Sequence, residues 1–142
     1  MLRVKYLLAL KGKEVWSIGP DQPVLAAIQL MADKHIGALP VMHDGALLGI
    51  VSERDYARKV ILMGRSSADT PVRDIMTTTV RTVVPDEAVH RCMELMTELR
   101  IRHLPVLDKQ RVVGIVSIGD LVKAVIEEQQ QTIDQLERYI AS

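Results

Sequence analysis

The sequence contains no phenylalanine, and Trp16, Tyr6, Tyr56 and Tyr139 are its only large rings. Any interior must therefore be filled by Leu, Ile, Val and Met. A single cysteine, Cys92, excludes an internal disulfide and fits a reducing compartment. Net charge is missing too: eighteen basic residues balance eighteen acidic ones, which leaves no electrostatic footprint for a nucleic-acid backbone or an anionic membrane. No segment approaches the roughly 18 apolar residues of a membrane span. The apolar run Tyr6 to Leu10 is too brief for a signal core and no small-residue cleavage site follows it, so a cytoplasmic location is expected. What is present, 48% hydrophobic and 25% charged residues, is an ordinary globular composition. A chain of 142 residues suffices for one compact domain or for two half-domains sharing a core.

Familiar catalytic signatures are absent as well. There is no Gly-rich dinucleotide fingerprint, no Walker A loop and no nucleophile elbow. His90 and Cys92 stand two apart and would point to different faces of a helix, which makes them poor joint metal ligands. His35 and His43 lie near loop ends without carboxylate or cysteine partners. No nucleophile, base and orienting group form a set, so neither catalysis nor a resident metal is expected.

The chain does contain itself twice. GIVSERD at 49–55 returns as GIVSIGD at 114–120, and a shift of 65 residues superposes Pro20-Asp21 on Pro85-Asp86, Leu30-Met31 on Leu95-Met96, and Leu39-Pro40-Val41 on Leu104-Pro105-Val106 without a gap. Two copies are too few for a solenoid, so a pseudo-symmetric pair packed face to face is expected. In each copy an aspartate, Asp21 or Asp86, is placed to cap a helix whose apolar positions are Val24, Ala27, Ile28 and Met31, or Val89, Cys92, Met93 and Met96. Two short apolar runs follow, around Asp44-Gly45 in the first copy and Asp108-Lys109-Gln110 in the second, and predict a hairpin. Each second strand enters a helix, about 53–63 ending at Gly64, and about 119–140. With first strands at 15–18 and 80–83, the unit is β-α-β-β-α.

This duplicated unit, with its LPV strands and GIVSxxD endings, resembles a tandem pair of CBS domains, a Bateman module of α/β (α+β) class. SERDYARK at 52–59 and RHLPVLD at 102–108 look like the small stand-alone bacterial members. The resemblance divides the chain into an N-terminal helix at 1–12, a first repeat at 13–64, a linker at 65–76, a second repeat at 77–125 and a helical extension at 126–142. It implies a regulatory, signal-transducing module that binds an adenine nucleotide between its repeats, AMP first with ATP or NAD as alternatives. It also implies a homodimer acting on an unidentified downstream protein.

Ser52 with Asp55, and Ser117 with Asp120, admit two accounts. Serine at a strand-to-helix junction with an acidic residue three positions on is close to a capping box, worth about 1 kcal/mol. The same junction offers unpaired N–H donors and a hydroxyl to a phosphate, and a carboxylate to the two hydroxyls of a ribose. The family uses Ser/Thr-x-x-Asp in the second way, and the two accounts are compatible. By the same resemblance the base would pack against Ser17, Ile18, Ile36, Gly37, Ala38 and Pro40 in one copy. In the other it would meet Thr82, Val83, Ile101, Arg102, His103 and Pro105. For Pro40 and Pro105 an edge strand is the plain alternative. The surround is expected to be aliphatic, without an aromatic stack. Gly37-Ala38 and Arg102-His103 differ in bulk and charge, so the clefts should be unequal. Arg54 is expected to meet phosphate; Arg58 and Lys59 either join it or form a solvated helix face.

Overall fold

The computed structural model describes residues 1–12 and 14–141. Lys13, the expected start of the first repeat, and Ser142, the expected end of the extension, lie outside the described residues. Helix α1 spans Val4–Lys11. The first repeat then runs through α2 (Val24–Lys34), β1 (Ala38–His43), β2 (Ala46–Ser52) and α3 (Glu53–Tyr56), which continues as a π-helical turn at Ala57–Ile61. After a 3₁₀ turn at Val72–Asp74 the second repeat supplies α4 (Val89–Leu99), β3 (His103–Asp108), β4 (Arg111–Ser117) and α5 (Ile118–Ala141).

Each hairpin is antiparallel with the same register, Ala38 opposite Ser52 and His103 opposite Ser117, and with a bulge at Val41/Met42 or Val106/Leu107. Both turns place two residues at positive φ, Asp44 and Gly45 at 49° and 79°, Lys109 and Gln110 at 51° and 66°. That pair of left-handed positions is what a tight two-residue hairpin demands, and Gln110 meets it without glycine.

The expected first strands shrink to single parallel bridges, Ile18 to Val41 and Val83 to Val106. Ile18 N–H donates to the Pro40 carbonyl and Met42 N–H donates to the Ile18 carbonyl, at 3.1 and 2.9 Å. Extending that ladder would next require an N–H at residue 40, which proline lacks. Pro105 stops the equivalent ladder, where Val83 N–H donates to its carbonyl at 3.1 Å.

Asp21 and Asp86 do not cap helices. The residues before α2 and α4 are Pro23 and Ala88, without side-chain caps. The first N–H groups of α2 instead donate to the Thr70 and Ser67 carbonyls at 2.8 and 3.0 Å, and Val89 N–H donates to Leu2 O at 3.0 Å. Crossing backbone thus satisfies the orphan donors, while Asp21 pairs with Arg73 and Asp86 with Lys5. The turn after Ala57–Ile61 closes at Gly64, with φ of 66°, as a glycine stop requires.

Two aliphatic cores form, and each borrows a segment from outside its repeat. Val4 and Leu7 of α1 are buried with Val89, Cys92, Leu104, Val116 and Leu121. Val72 and Ile75 of the linker are buried with Val24, Met31, Leu39 and Val51. The borrowed segments pass directly over the glycines of the two GIVS stretches. A Cβ on Gly49 would stand 2.6 Å from Thr77 O, and one on Gly114 would stand 2.6 Å from Leu8 Cδ2.

Candidate functional site: two clefts between the repeats

At both strand-to-helix junctions the capping geometry is present. Asp55 N–H donates to Ser52 Oγ at 3.2 Å, and Ser52 N–H and Oγ–H both donate to Asp55 Oδ2 at 3.0 Å. In the second repeat, Asp120 N–H donates to Ser117 Oγ at 3.1 Å and Ser117 N–H donates to Asp120 Oδ2 at 2.9 Å. One oxygen of each carboxylate is thereby committed to the cap. Asp55 Oδ1 meets Lys59 Nζ at 3.1 Å, whereas Asp120 Oδ1 takes no part in these bonds.

Each junction opens into a cleft completed by the other repeat. A cavity of about 380 Å³ brings Ser117 and Asp120 together with Ile36, Gly37 and Ala38 of the first repeat. A larger one of about 850 Å³ brings Ser52, Arg54 and Asp55 together with Ile101 and Arg102 of the second. Gly37 and His103 border both. They touch back to back, since a Cβ on Gly37 would stand 3.3 Å from His103 Nε2. Ser17, Ile18, Pro40, Thr82, Val83 and Pro105 line neither cavity. Ile18 and Val83 pack against the cores instead, and Pro40 and Pro105 are buried within their hairpins. The chain entering each repeat presents earlier residues to the clefts, Val15 and Trp16 on one side and Thr79, Val80 and Arg81 on the other.

Three features refine the sequence expectation. Trp16 lines the smaller cleft, with Lys34 Nζ 4.1 Å from its ring centroid, so that surround is not wholly aliphatic. Of the cationic and hydrogen-bonding roles open to His103, burial favours the second, pushing its pKa down to about 4, with Lys11, Arg102 and Arg54 adding to the effect and Asp120 opposing it. Lys11 of α1, ahead of the expected start of the first repeat, reaches the smaller cleft and donates to Asp120 Oδ2 at 2.7 Å and to Ile115 O at 2.9 Å. Burial works to raise the Asp120 carboxyl, but the Lys11 ammonium and the Ser117 donors outweigh it and hold the group below its ordinary value. Lys59 does the matching task in the first repeat, bonding Ile75 O at 2.8 Å as well as Asp55. Lys59 was legible as a cluster member beside Ser52. Lys11 was not, because the residue 65 positions later is Met76 and the repeat gives it no counterpart.

The clefts differ in charge as well as size. Arg54, Arg58, Lys59, Arg81 and Arg102 border the larger one, while the smaller has Lys11, Lys34, Glu14 and Asp120. Cys92 sits in the core, its thiol pushed up to about 11 by burial and by the charge of Glu87, which suits packing and not nucleophilic attack. No three His, Cys, Asp or Glu side chains gather as a metal site among the described residues. No helix among them is long and apolar enough to cross a membrane.

The model of the family described as CBS domain matches residues 10–61 and 72–127. This chain is a CBS-domain protein. Its paired CBS repeats account for the duplication, the GIVS junctions and the interrepeat clefts. The mitochondrial CBS domain-containing protein CBSX3 of Arabidopsis thaliana is 46% identical over 91% of this chain, which spans 65% of that relative's length. A solved CBS-domain protein from Burkholderia ambifaria, assigned provisionally to signal transduction, is 49% identical and superposes with a TM-score of 0.85 over 89% of this chain and 96% of its own. The CBS domain pair of protein MJ0100, solved with 5′-methylthioadenosine and S-adenosyl-L-methionine, is 27% identical with a TM-score of 0.80, over 90% of this chain and 98% of that one.

Proposed function

We propose that this CBS pair is a cytoplasmic, non-enzymatic sensor that binds an adenine nucleotide between its repeats and signals through their relative orientation. The observation that carries this reading is the cross-repeat construction of both clefts. Each joins a Ser-x-x-Asp junction from one repeat to the strand entry of the other. A ligand spanning the gap would stabilise one arrangement of the repeats by its differential affinity. Ser52, Arg54 and Asp55 would hold one ligand, Ser117 and Asp120 the other, each carboxylate accepting from ribose hydroxyls. The adenosine-containing ligands in the complex of the MJ0100 pair support the ligand class.

AMP is the first candidate, with ATP and NAD the alternatives, and the five cationic side chains around the larger cleft favour a phosphate-bearing ligand there. We further propose a homodimer, since Ile61, Leu62, Met63 and Leu99 are exposed apolar residues at helical ends, and a downstream protein that reads the ligand-bound form. Equilibrium dialysis against AMP, ATP and NAD tests the proposal, with mass spectrometry of small molecules released from the purified protein. Retention of none of them at millimolar concentration would leave a ligand-free scaffold as the better account.

A further inference from the structure

We infer that α5, from Val122 to Ile140, pairs with the same segment of a second copy as an antiparallel two-helix coiled coil. Helix α5 has 24 residues, about 36 Å at 1.5 Å per residue. Its core-facing residues all lie near its start: Leu121 is buried, and Ile118, Ala124 and Val125 pack beside it. A second apolar series, Val122, Ile126, Ile133, Leu136 and Ile140, is exposed along the whole helix, Ile140 at 80%. With Gln129 this series advances alternately by four and three residues, the a/d spacing of a coiled-coil seam. At roughly 100° per residue it centres about a quarter-turn away from the face that Leu121 buries. It is therefore no continuation of the intramolecular core.

The occupant is argued from self-complementarity. With Gln131 opposite its own copy, an antiparallel pair sets Val122 against the partner's Ile140 and Ile126 against the partner's Leu136. Gln129 then faces the partner's Ile133, a polar seam position of the kind that fixes register at some cost in stability. The same alignment brings Lys123 beside the partner's Glu137, twice by symmetry, and both residues are exposed. A parallel pair makes neither of these ion pairs and aligns two helix dipoles. The arrangement is isologous and closes on itself. It is an association surface distinct from the exposed residues on which the homodimer above was argued, and it does not depend on any bound nucleotide.

Sedimentation equilibrium on the whole chain tests it, comparing wild type with Ile133→Glu/Leu136→Glu and with Lys123→Glu, Glu137→Lys and their combination. The seam variant should lose an association step while keeping the helical circular dichroism of a folded chain. Each single charge reversal should weaken association about fivefold, the scale of two exposed ion pairs, and the combination should restore it. A wild type that does not associate at tens of micromolar, a seam variant that associates as wild type does, or a double reversal no better than the singles would overturn the inference. Unchanged association in the seam variant would leave the proposed dimer intact through other helices, and AMP binding measured on that variant reports on the nucleotide site separately.

Discussion

Replacing Asp120 by Asn separates the cap from the ligand role in one experiment. The substitution preserves size and much of the local hydrogen bonding but removes the charge that faces Lys11 Nζ at 2.7 Å. That pair is partly exposed, 39% for the lysine side chain and 28% for the aspartate, so solvent screening limits its worth to under about 1 kcal/mol. An acidic residue in the first turn of a helix adds about 0.3–1 kcal/mol. Without ligand, then, stability should fall by about 1 kcal/mol, which lowers Tm by about 2–4 °C for a chain of this size. The pH dependence follows from the lowered Asp120 carboxyl. A depressed carboxylate contributes stability above its unfolded value of about 3.9 and loses it as pH falls through the folded one, so wild type and variant should converge below about pH 4. Ligand changes the comparison. If the carboxylate holds ribose, replacing charge-assisted hydrogen bonds by neutral ones costs about 1.4 kcal/mol, or about tenfold in affinity. At a concentration about 100 times the wild-type Kd, AMP would stabilise wild type by about 2.7 kcal/mol and the variant by only about half of that. Thermal melts of both proteins with and without AMP read all of these quantities. Equal ligand-induced shifts would refute the ribose role and leave Asp120 a helix cap.

Three further outcomes are expected. His103, with its pKa pushed down to about 4, binds its proton more readily when unfolded, so stability should decline as pH falls from about 6.5 towards 4; denaturant melts of His103→Gln should show a flatter profile there, and an unchanged slope would contradict the assignment. Gly49→Ala should destabilise more than Gly114→Ala, because the added Cβ meets the backbone oxygen of Thr77 in one case and the end of the Leu8 side chain in the other; overpacking costs of about 1–3 kcal/mol bracket the range. Gln110→Gly should stabilise the protein by about 1 kcal/mol, since Gln110 sits at φ of 66° where the first repeat has Gly45; chemical denaturation showing no gain would count against strain in that turn.

The duplication makes most of the fold legible in the sequence. A gapless 65-residue shift carried the hairpins, the amphipathic α2 and α4 and both serine junctions, because those elements depend on local apolar period and turn chemistry. What escaped depends on segments far away in the chain. Asp21 and Asp86 have the composition of helix caps, yet carbonyls from residues 67, 70 and 2 take the donors they were expected to serve. The first strands have the apolar content of strands, but Pro40 and Pro105, on the neighbouring strand, cut their ladders. In the clefts, Ser52, Asp55, Ser117 and Asp120 come together with the opposite repeat, whereas Ser17 and Thr82 do not, because the entering chain is too irregular for strand alternation to assign its faces. Lys11 was invisible for a simpler reason: internal comparison finds what is shared, and Lys11 is not.

The crossing of α1 onto the second core has a consequence for how the chain comes into being. Val4 and Leu7 are buried in one core with Val89, Cys92 and Val116, which a ribosome produces roughly 80 to 110 residues later. The first repeat can assemble once residues 72–75 have emerged, but α1 must wait, a short amphipathic helix with no partner, until the second hairpin exists. Closing that distant contact is the high-contact-order step, so folding should be limited by the docking of α1 onto the second repeat. Deleting residues 1–11 should accordingly unsettle the second repeat and spare the first, although the deletion lies at the first repeat's own border.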